Sequence, residues 1–324
     1  MSAKPLVVIL CPKEFRFTDH AATVETPFLA DVAELKTVWL DFNAPFPDEV
    51  LGAHAIILWH GPLMSADVIA HLKNCHVIVR NGVGYDSVDT AAAAKAGIAV
   101  CNVPDYGTEE VADHAIALTL ALYRQLFPLD AEAKSLGWKI NVSAKMRRLR
   151  TQTFGVIGLG RIGTATALRA KAFGFRVVFF DPYVVVGTHK AVGVERVATL
   201  DELLRIADLV SVHCPLTGET RGMIGAREIA QMKPTAFLVN TARGDIVQKV
   251  PVFAALREGR LAGAGLDVVE AEPLRTAEEA ATPNLIVTCH AAFCSPEGMI
   301  EMRSTSAKIA RAAVLGQPVW NRVN

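Results

Sequence analysis

The chain has no run of 18 uninterrupted apolar residues, which excludes an ordinary membrane-spanning helix. Its opening stretch, MSAKPLVVILCP, holds only a short apolar run and reads as a first strand rather than a leader. It lacks an excess of either charge. Lys plus Arg total 33 and Asp plus Glu total 33, so no global field attracts nucleic acid or an anionic membrane. The one local exception, Lys145 to Arg150, reads as a solvated helix end. Cysteine is scarce: six residues with no C-x-x-C pair, a pattern of reduced thiols in a cytoplasmic protein. Four of the nine histidines, His54, His60, His71 and His76, fall in one region, but their spacings match no zinc pattern. H-E-x-x-H is absent as well, so no metal is expected. There is no tandem repeat and no low-complexity segment.

What is present is hydrophobic substance. Half of the 324 residues are apolar, enough for two domains with sizeable cores. The first hundred residues alternate strand and helix. Strands are expected at Leu6–Leu10, Ala55–Trp59, Val77–Arg80 and Ile98–Cys101, and helices at Thr26–Leu35, Ser65–Leu72 and Val88–Ala96. That alternation predicts a small doubly wound α/β unit. Val103-Pro104 closes it. A helix over Glu109–Leu126 follows, apolar almost all round and therefore expected to be buried on most faces. Further strands at Leu209–His213, Ala236–Asn240, Gly263–Val268 and Leu285–Thr288 predict a second doubly wound unit. A last helix over Glu297–Leu315 ends at Gly316 and Pro318.

The most specific stretch runs from Thr153 to Asp181. A short apolar strand enters Gly158-Leu159-Gly160-Arg161-Ile162-Gly163, a G-x-G-x-x-G turn, and a helix follows to Phe173. A second strand, Arg176–Phe180, ends on Asp181. Gly158 permits a tight turn, Gly160 lets the backbone approach a pyrophosphate, and Gly163 lets helix and strand pack closely. Free N–H groups at the helix start then face phosphate charge. Asp181 accepts from both hydroxyls of an adenosine ribose and repels a 2′-phosphate, which favours NAD over NADP.

A nicotinamide cofactor leaves the protein to orient the substrate, move a proton and stabilise charge. Three polar residues near strand ends suit those tasks. Arg243 offers a planar fork for a carboxylate, His290 a proton donor and acceptor, and Glu272 a partner that orients the imidazole.

Taken together these motifs resemble the D-isomer-specific 2-hydroxyacid dehydrogenases, over nearly the whole chain and most strongly from Val77 to Phe293. Arg80-Asn81-Gly82-Val83-Gly84-Tyr85-Asp86 resembles the family's glycine loop, which implies that the Val83 and Gly84 backbone binds the substrate carboxylate. Asn240-Thr241-Ala242-Arg243-Gly244 matches the segment carrying its arginine. The segment Gly265 to Pro273 matches the one carrying its acid, placed at Glu272, and His290-Ala291-Ala292 the one carrying its histidine. The resemblance further implies that Thr108, Arg161, Ile162, His213, Thr241 and Asp267 meet the cofactor, Asp267 at the nicotinamide amide. Within the family the chain is most similar to the branch of the C-terminal-binding proteins, through stretches such as GIAVCNVP, FFDPY and AFLVNTARG. That branch has an arginine like Arg80 and a histidine like His60 near the substrate. There are departures: Cys289 replaces a common proline, Phe293 a tryptophan, and Gln248-Lys249-Val250-Pro251 an acidic helix start.

The family fold implies a flavodoxin-like substrate domain at 1–103 and 292–324, with a Rossmann NAD domain inserted at 104–291. It implies a homodimer built mainly through the NAD domain, an expectation strengthened by the apolar Glu109–Leu126 helix. The expected activity is NAD-dependent interconversion of a 2-oxo acid and a D-2-hydroxy acid, with Arg80, Val83, Gly84, His60 and Phe293 around the substrate. The alternative is an NAD-sensing, corepressor-like interaction protein with weak catalysis.

Overall fold

A computed structural model describes residues 4–13, 22–41, 44–139 and 146–324. The chain divides into two compact units, residues 1–107 with 294–324, and residues 108–293. Each is a parallel sheet with helices on both faces, so its strands read as continuous apolar runs rather than alternating ones.

In the first unit five strands, β1 (Leu6–Pro12), β2 (Glu34–Leu40), β3 (Ala55–Leu58), β4 (Val77–Arg80) and β5 (Ala99–Asn102), lie in the order β2-β1-β3-β4-β5. This is the flavodoxin-like order. β2 was not expected. The helix anticipated at Thr26–Leu35 is a single turn, Thr26–Leu29, and residues from Glu34 pair with β1 instead. The physical reason lies in ELKTVWL, whose exposed and covered residues alternate with the period of an edge strand. Its last residues, Val38 and Leu40, join the core against Val8 and Leu10. On the opposite edge, Val323 and Asn324 bond to Val100 of β5, which covers unpaired backbone groups.

The Pro296–Val314 helix is capped by Ser295, whose hydroxyl accepts from Gly298 N–H at 2.9 Å. Arg303, on this helix, donates two bonds of 2.7 Å to Glu25, which is fully buried. Such a bidentate pair satisfies both charges at once. Burial and the Glu25 carboxylate push the nearby Cys11 thiol up. Burial likewise raises Cys75 to about 12 and Cys101 to about 11, so these thiols stay protonated, while Cys289 and Cys294 are exposed.

In the second unit seven strands, β6 (Thr153–Ile157), β7 (Arg176–Phe180), β8 (Glu195–Arg196), β9 (Leu209–Val212), β10 (Phe237–Asn240), β11 (Gly263–Leu266) and β12 (Leu285–Val287), follow the order β12-β11-β10-β9-β6-β7-β8. The order reverses between β6 and β9, the switch point at which dinucleotides bind in doubly wound sheets.

The long apolar helix runs over Thr108–Tyr123, and Gln125, at φ +52°, breaks it before a second helix, Leu126–Lys134. Its apolar residues Ala115, Ile116, Leu118, Leu122 and Tyr123 lie in one core with Phe154, Phe179, Phe237 and Val239 of the sheet. Glu109 and Asp113 lie on its exposed side, and Asp113 pairs with Arg169. The apolar faces are thus buried inside this unit, and the inference that they need a second subunit is corrected. What stays exposed lies beyond the break: Leu126, Phe127, Leu136 and Trp138, the last two 97% and 92% accessible. In the basic stretch, Lys145 lies outside the described residues, and Leu149–Thr151 form a short 3₁₀ turn rather than a helix end. No helix among the described residues is long and apolar enough to cross a membrane.

Candidate active site

The dinucleotide turn is built around contacts that only glycine allows. Gly158 sits at φ +89°, and a Cβ there would lie 2.7 Å from the Cys214 amide nitrogen on the loop after β9. A Cβ on Gly163 would lie 2.0 Å from the Gly158 carbonyl oxygen. Gly160, at the N-cap of the Arg161–Ala172 helix, faces open space, which leaves room for a ligand against its backbone. Arg161 and Ile162 form the first turn of that helix, whose leading N–H groups favour an anion.

Asp181 follows β7 and is held by backbone donors: Leu159 at 2.8 Å, Tyr183 at 2.8 Å and Val184 at 3.1 Å. The carboxylate therefore belongs to the turn itself, fixed beside Gly158 to Gly163. His213 follows β9 and packs its Cβ toward Gly163. Desolvation pushes its imidazole down to about 3, so the ring is neutral at physiological pH. Its Nε2 shares a 2.8 Å bond with the Ser211 hydroxyl.

Two buried hydroxyls, Thr108 Oγ1 and Thr241 Oγ1, have no hydrogen-bond partner among the described residues, and the same holds for His213 Nδ1. Leaving such groups unmade is costly, so they ask for a polar ligand. Orphaned hydroxyls, an open backbone at Gly160 and a fixed Asp181 together fit a dinucleotide.

The titratable groups stand at the carboxyl ends of β10, β11 and β12. Arg243 ends the loop after β10, where Asn240 braces the turn: its side chain donates to the Arg243 carbonyl at 2.9 Å and accepts from Ala242 N–H at 3.0 Å. The Arg243 guanidinium donates to the Ala242 carbonyl at 2.8 Å. His290 follows β12 at φ +53°, with Nδ1 3.2 Å from Glu272 Oε2. Phe293 meets the same imidazole edge to face, centroids 6.2 Å apart. His290 and Glu272 are thus brought together as expected from the sequence.

Asp267 lies in a network of bonds at the carboxyl end of β11. Its side chain is only 1% exposed and both oxygens already accept bonds, from Thr288 and Ala291 at Oδ1 and from Ala292 at Oδ2. Thr288 and His114 in this network carry no sequence motif and were missed.

In the first unit, the expected substrate residues also sit at strand ends. His60 lies just after β3 and Arg80 closes β4, buried, with its guanidinium bonded to the Asn81 carbonyl. The Val83 carbonyl accepts from the Asn102 side chain at 2.7 Å, and Gly84 follows half-buried in the same loop. His54, by contrast, serves the fold: its Nδ1 accepts from Leu6 N–H at 3.1 Å.

Residues 116–292, just over half of the chain, match the family described as D-isomer specific 2-hydroxyacid dehydrogenase, NAD binding domain. The chain belongs to this family. C-terminal-binding protein 1 of Caenorhabditis elegans is 34% identical over 326 residues, 98% of this chain and 44% of that protein. D-3-phosphoglycerate dehydrogenase of Mycobacterium leprae (strain TN) is 34% identical over 310 residues, 94% of this chain and 58% of the relative. The chain therefore spans about half the length of these curated relatives. Among solved structures, the D-lactate dehydrogenase of Aquifex aeolicus, complexed with NAD and lactic acid, superposes with a TM-score of 0.85 at 29% identity, covering 95% of this chain and 96% of that one. The cofactor of the family domain is NAD, in agreement with the turn and Asp181.

Proposed function

We propose that the chain is an NAD-dependent oxidoreductase that interconverts a 2-oxo acid and a D-2-hydroxy acid. The observation that carries this reading is the His290–Glu272 pair, 3.2 Å apart at the strand ends of an NAD-binding domain. When bound, the dinucleotide supplies the hydride. Nδ1 of His290 faces a carboxylate, an acceptor only, so Nδ1 carries a hydrogen. Nε2 is then the atom that gives a proton to the substrate oxygen and takes it back in reverse. Arg243 is assigned the polarised carbonyl and the acid's orientation. The Val83 and Gly84 amides and Arg80 are assigned the substrate carboxylate, and His60 and Phe293 its surroundings. Gly158, Gly160, Arg161, Ile162 and Gly163 are assigned the pyrophosphate, Asp181 the ribose, and Thr108, Thr241 and His213 the rest of the dinucleotide. Steady-state oxidation of NADH across a panel of 2-oxo acids tests the reading, and turnover with at least one of them is expected.

The charge on Asp181 gives a second expectation. A unit charge at 4 Å is worth about 4 kcal/mol at an effective dielectric of about 20. Asp181→Asn keeps an acceptor for the Tyr183 and Val184 amides but removes the charge. It should narrow the NADH over NADPH preference in kcat/KM by about tenfold or more. An unchanged ratio would place the discrimination elsewhere.

We also assign a homodimer, supported now by the exposed Leu126, Phe127, Leu136 and Trp138 rather than by the helix before them. Light scattering should give twice the chain mass, and Phe127→Asp with Trp138→Asp should lower it toward one chain. A wild-type monomer at micromolar concentration contradicts this assignment.

A further inference from the structure

Three consecutive backbone N–H groups converge on Asp267. His290 N–H donates to its carbonyl at 2.8 Å, Ala291 N–H to Oδ1 at 2.9 Å and Ala292 N–H to Oδ2 at 3.0 Å. His290 has φ +53°, a left-handed conformation that few non-glycine residues adopt. A left-handed residue turns the following amides inward, making a concave nest for an anion. Here the anion is the protein's own carboxylate, and the nest and the backbone of His290 are the same piece of chain.

Two further side chains fix that carboxylate. Thr288 Oγ1 lies 2.6 Å from Asp267 Oδ1, and His114 Nε2 lies 3.0 Å from Thr288 Oγ1. A carboxylate only accepts, and a hydroxyl has one hydrogen. The Thr288 hydrogen therefore goes to Asp267, and its oxygen must accept from His114. Nε2 of His114 then carries a hydrogen in both the neutral and the charged ring. The direction of the chain is set: His114 to Thr288, Thr288 to Asp267, with the 291–292 amides closing on the same carboxylate. His114 stands on the Thr108–Tyr123 helix, so the chain of bonds ties that helix to the His290 loop.

We infer that His114 and Thr288 are positioning residues for His290, acting through the Asp267 carboxylate. The inference rests on the reading of His290 as the proton donor and goes beyond it by naming what holds the ring in place. It also gives Asp267 a task inside the loop, distinct from contact with the nicotinamide.

Paired variants test it. Thr288→Val keeps the shape and removes the hydroxyl, whereas Thr288→Ser restores it. His114→Phe keeps a ring without a donor, whereas His114→Gln keeps an N–H near the position of Nε2. Val and Phe should lower kcat by about 10- to 100-fold, the scale of a misplaced catalytic group, with little change in KM for NADH. Ser and Gln should recover most of the lost kcat. An arm independent of turnover follows amide hydrogen exchange. In Thr288→Val the Ala291 and Ala292 amides should exchange about tenfold faster, with β6 and β9 unchanged, and Thr288→Ser should restore protection. A Val variant with wild-type kcat or wild-type exchange at these amides overturns the inference, as does a Ser variant as impaired as Val. Absence of wild-type turnover strikes the oxidoreductase reading alone, and the exchange arm then decides whether this chain of bonds holds the loop.

Discussion

Replacing His290 with alanine should lower kcat by about 10²–10⁴-fold, the usual worth of a positioned general acid, and leave NADH affinity close to that of the unaltered chain. The asymmetry follows from placement. The dinucleotide turn is built from β6, the helix after it and Asp181 after β7, whereas the His290 ring meets Glu272 on the loops after β12 and β11. The imidazole stands after β12 against Glu272, and its loss removes the proposed proton donor. Because His290 lies at φ +53°, alanine adds backbone strain to the loss of chemistry. Asparagine tolerates that conformation better. His290→Asn should therefore match alanine in kcat while folding more stably, which separates the missing proton from the strained loop. Near wild-type turnover in both variants rules out the proposed mechanism.

The second large effect concerns stability. Arg303→Met should destabilise the chain by about 3–5 kcal/mol, the cost of leaving one partner of a buried ion pair uncompensated. Glu25 has no exposed surface and, among the described residues, takes two charged bonds from Arg303. The double variant Arg303→Met with Glu25→Leu should recover much of that loss, because removing both charges of a buried pair is often nearly neutral. Urea denaturation midpoints measure both. A loss below about 1 kcal/mol in the single variant would mean that the carboxylate finds water or another donor.

The parts of the molecule that were legible beforehand share one property: their meaning is local. Thr153 to Asp181 carries strand, turn, helix, strand and acid within one stretch, and Gly158 and Gly163 stand where backbone contacts exclude any side chain. Strand β2 is hidden in the sequence because Leu29, Val32 and Leu35 continue a helix-like spacing into residues that alternate with period two. Only the presence of β1 alongside decides for the strand. The Arg303–Glu25 pair joins residues 278 positions apart, and His114 and Thr288 are 174 apart. No spacing rule reaches that far; these contacts exist only once the sheets have formed. The Thr108–Tyr123 helix shows the opposite error. Its residues are apolar almost all round, but the sheet and the neighbouring helix of its own unit bury them, and the segment after it leaves Leu126, Phe127, Leu136 and Trp138 among the exposed apolar side chains.

Hydride transfer to the carbonyl carbon of a 2-oxo acid can be followed with an isotope. The chain is incubated with NADH carrying deuterium at both C4 positions of the nicotinamide and with the 2-oxo acid it turns over best. Mass spectrometry and chiral chromatography then read the product. The expected product is a 2-hydroxy acid of D configuration with one deuterium on C2, formed at least about 100-fold more slowly by the His290→Ala variant. A chain that binds NADH tightly yet delivers no deuterium to any 2-oxo acid in the panel would contradict the account, in favour of a protein that senses the dinucleotide without using it.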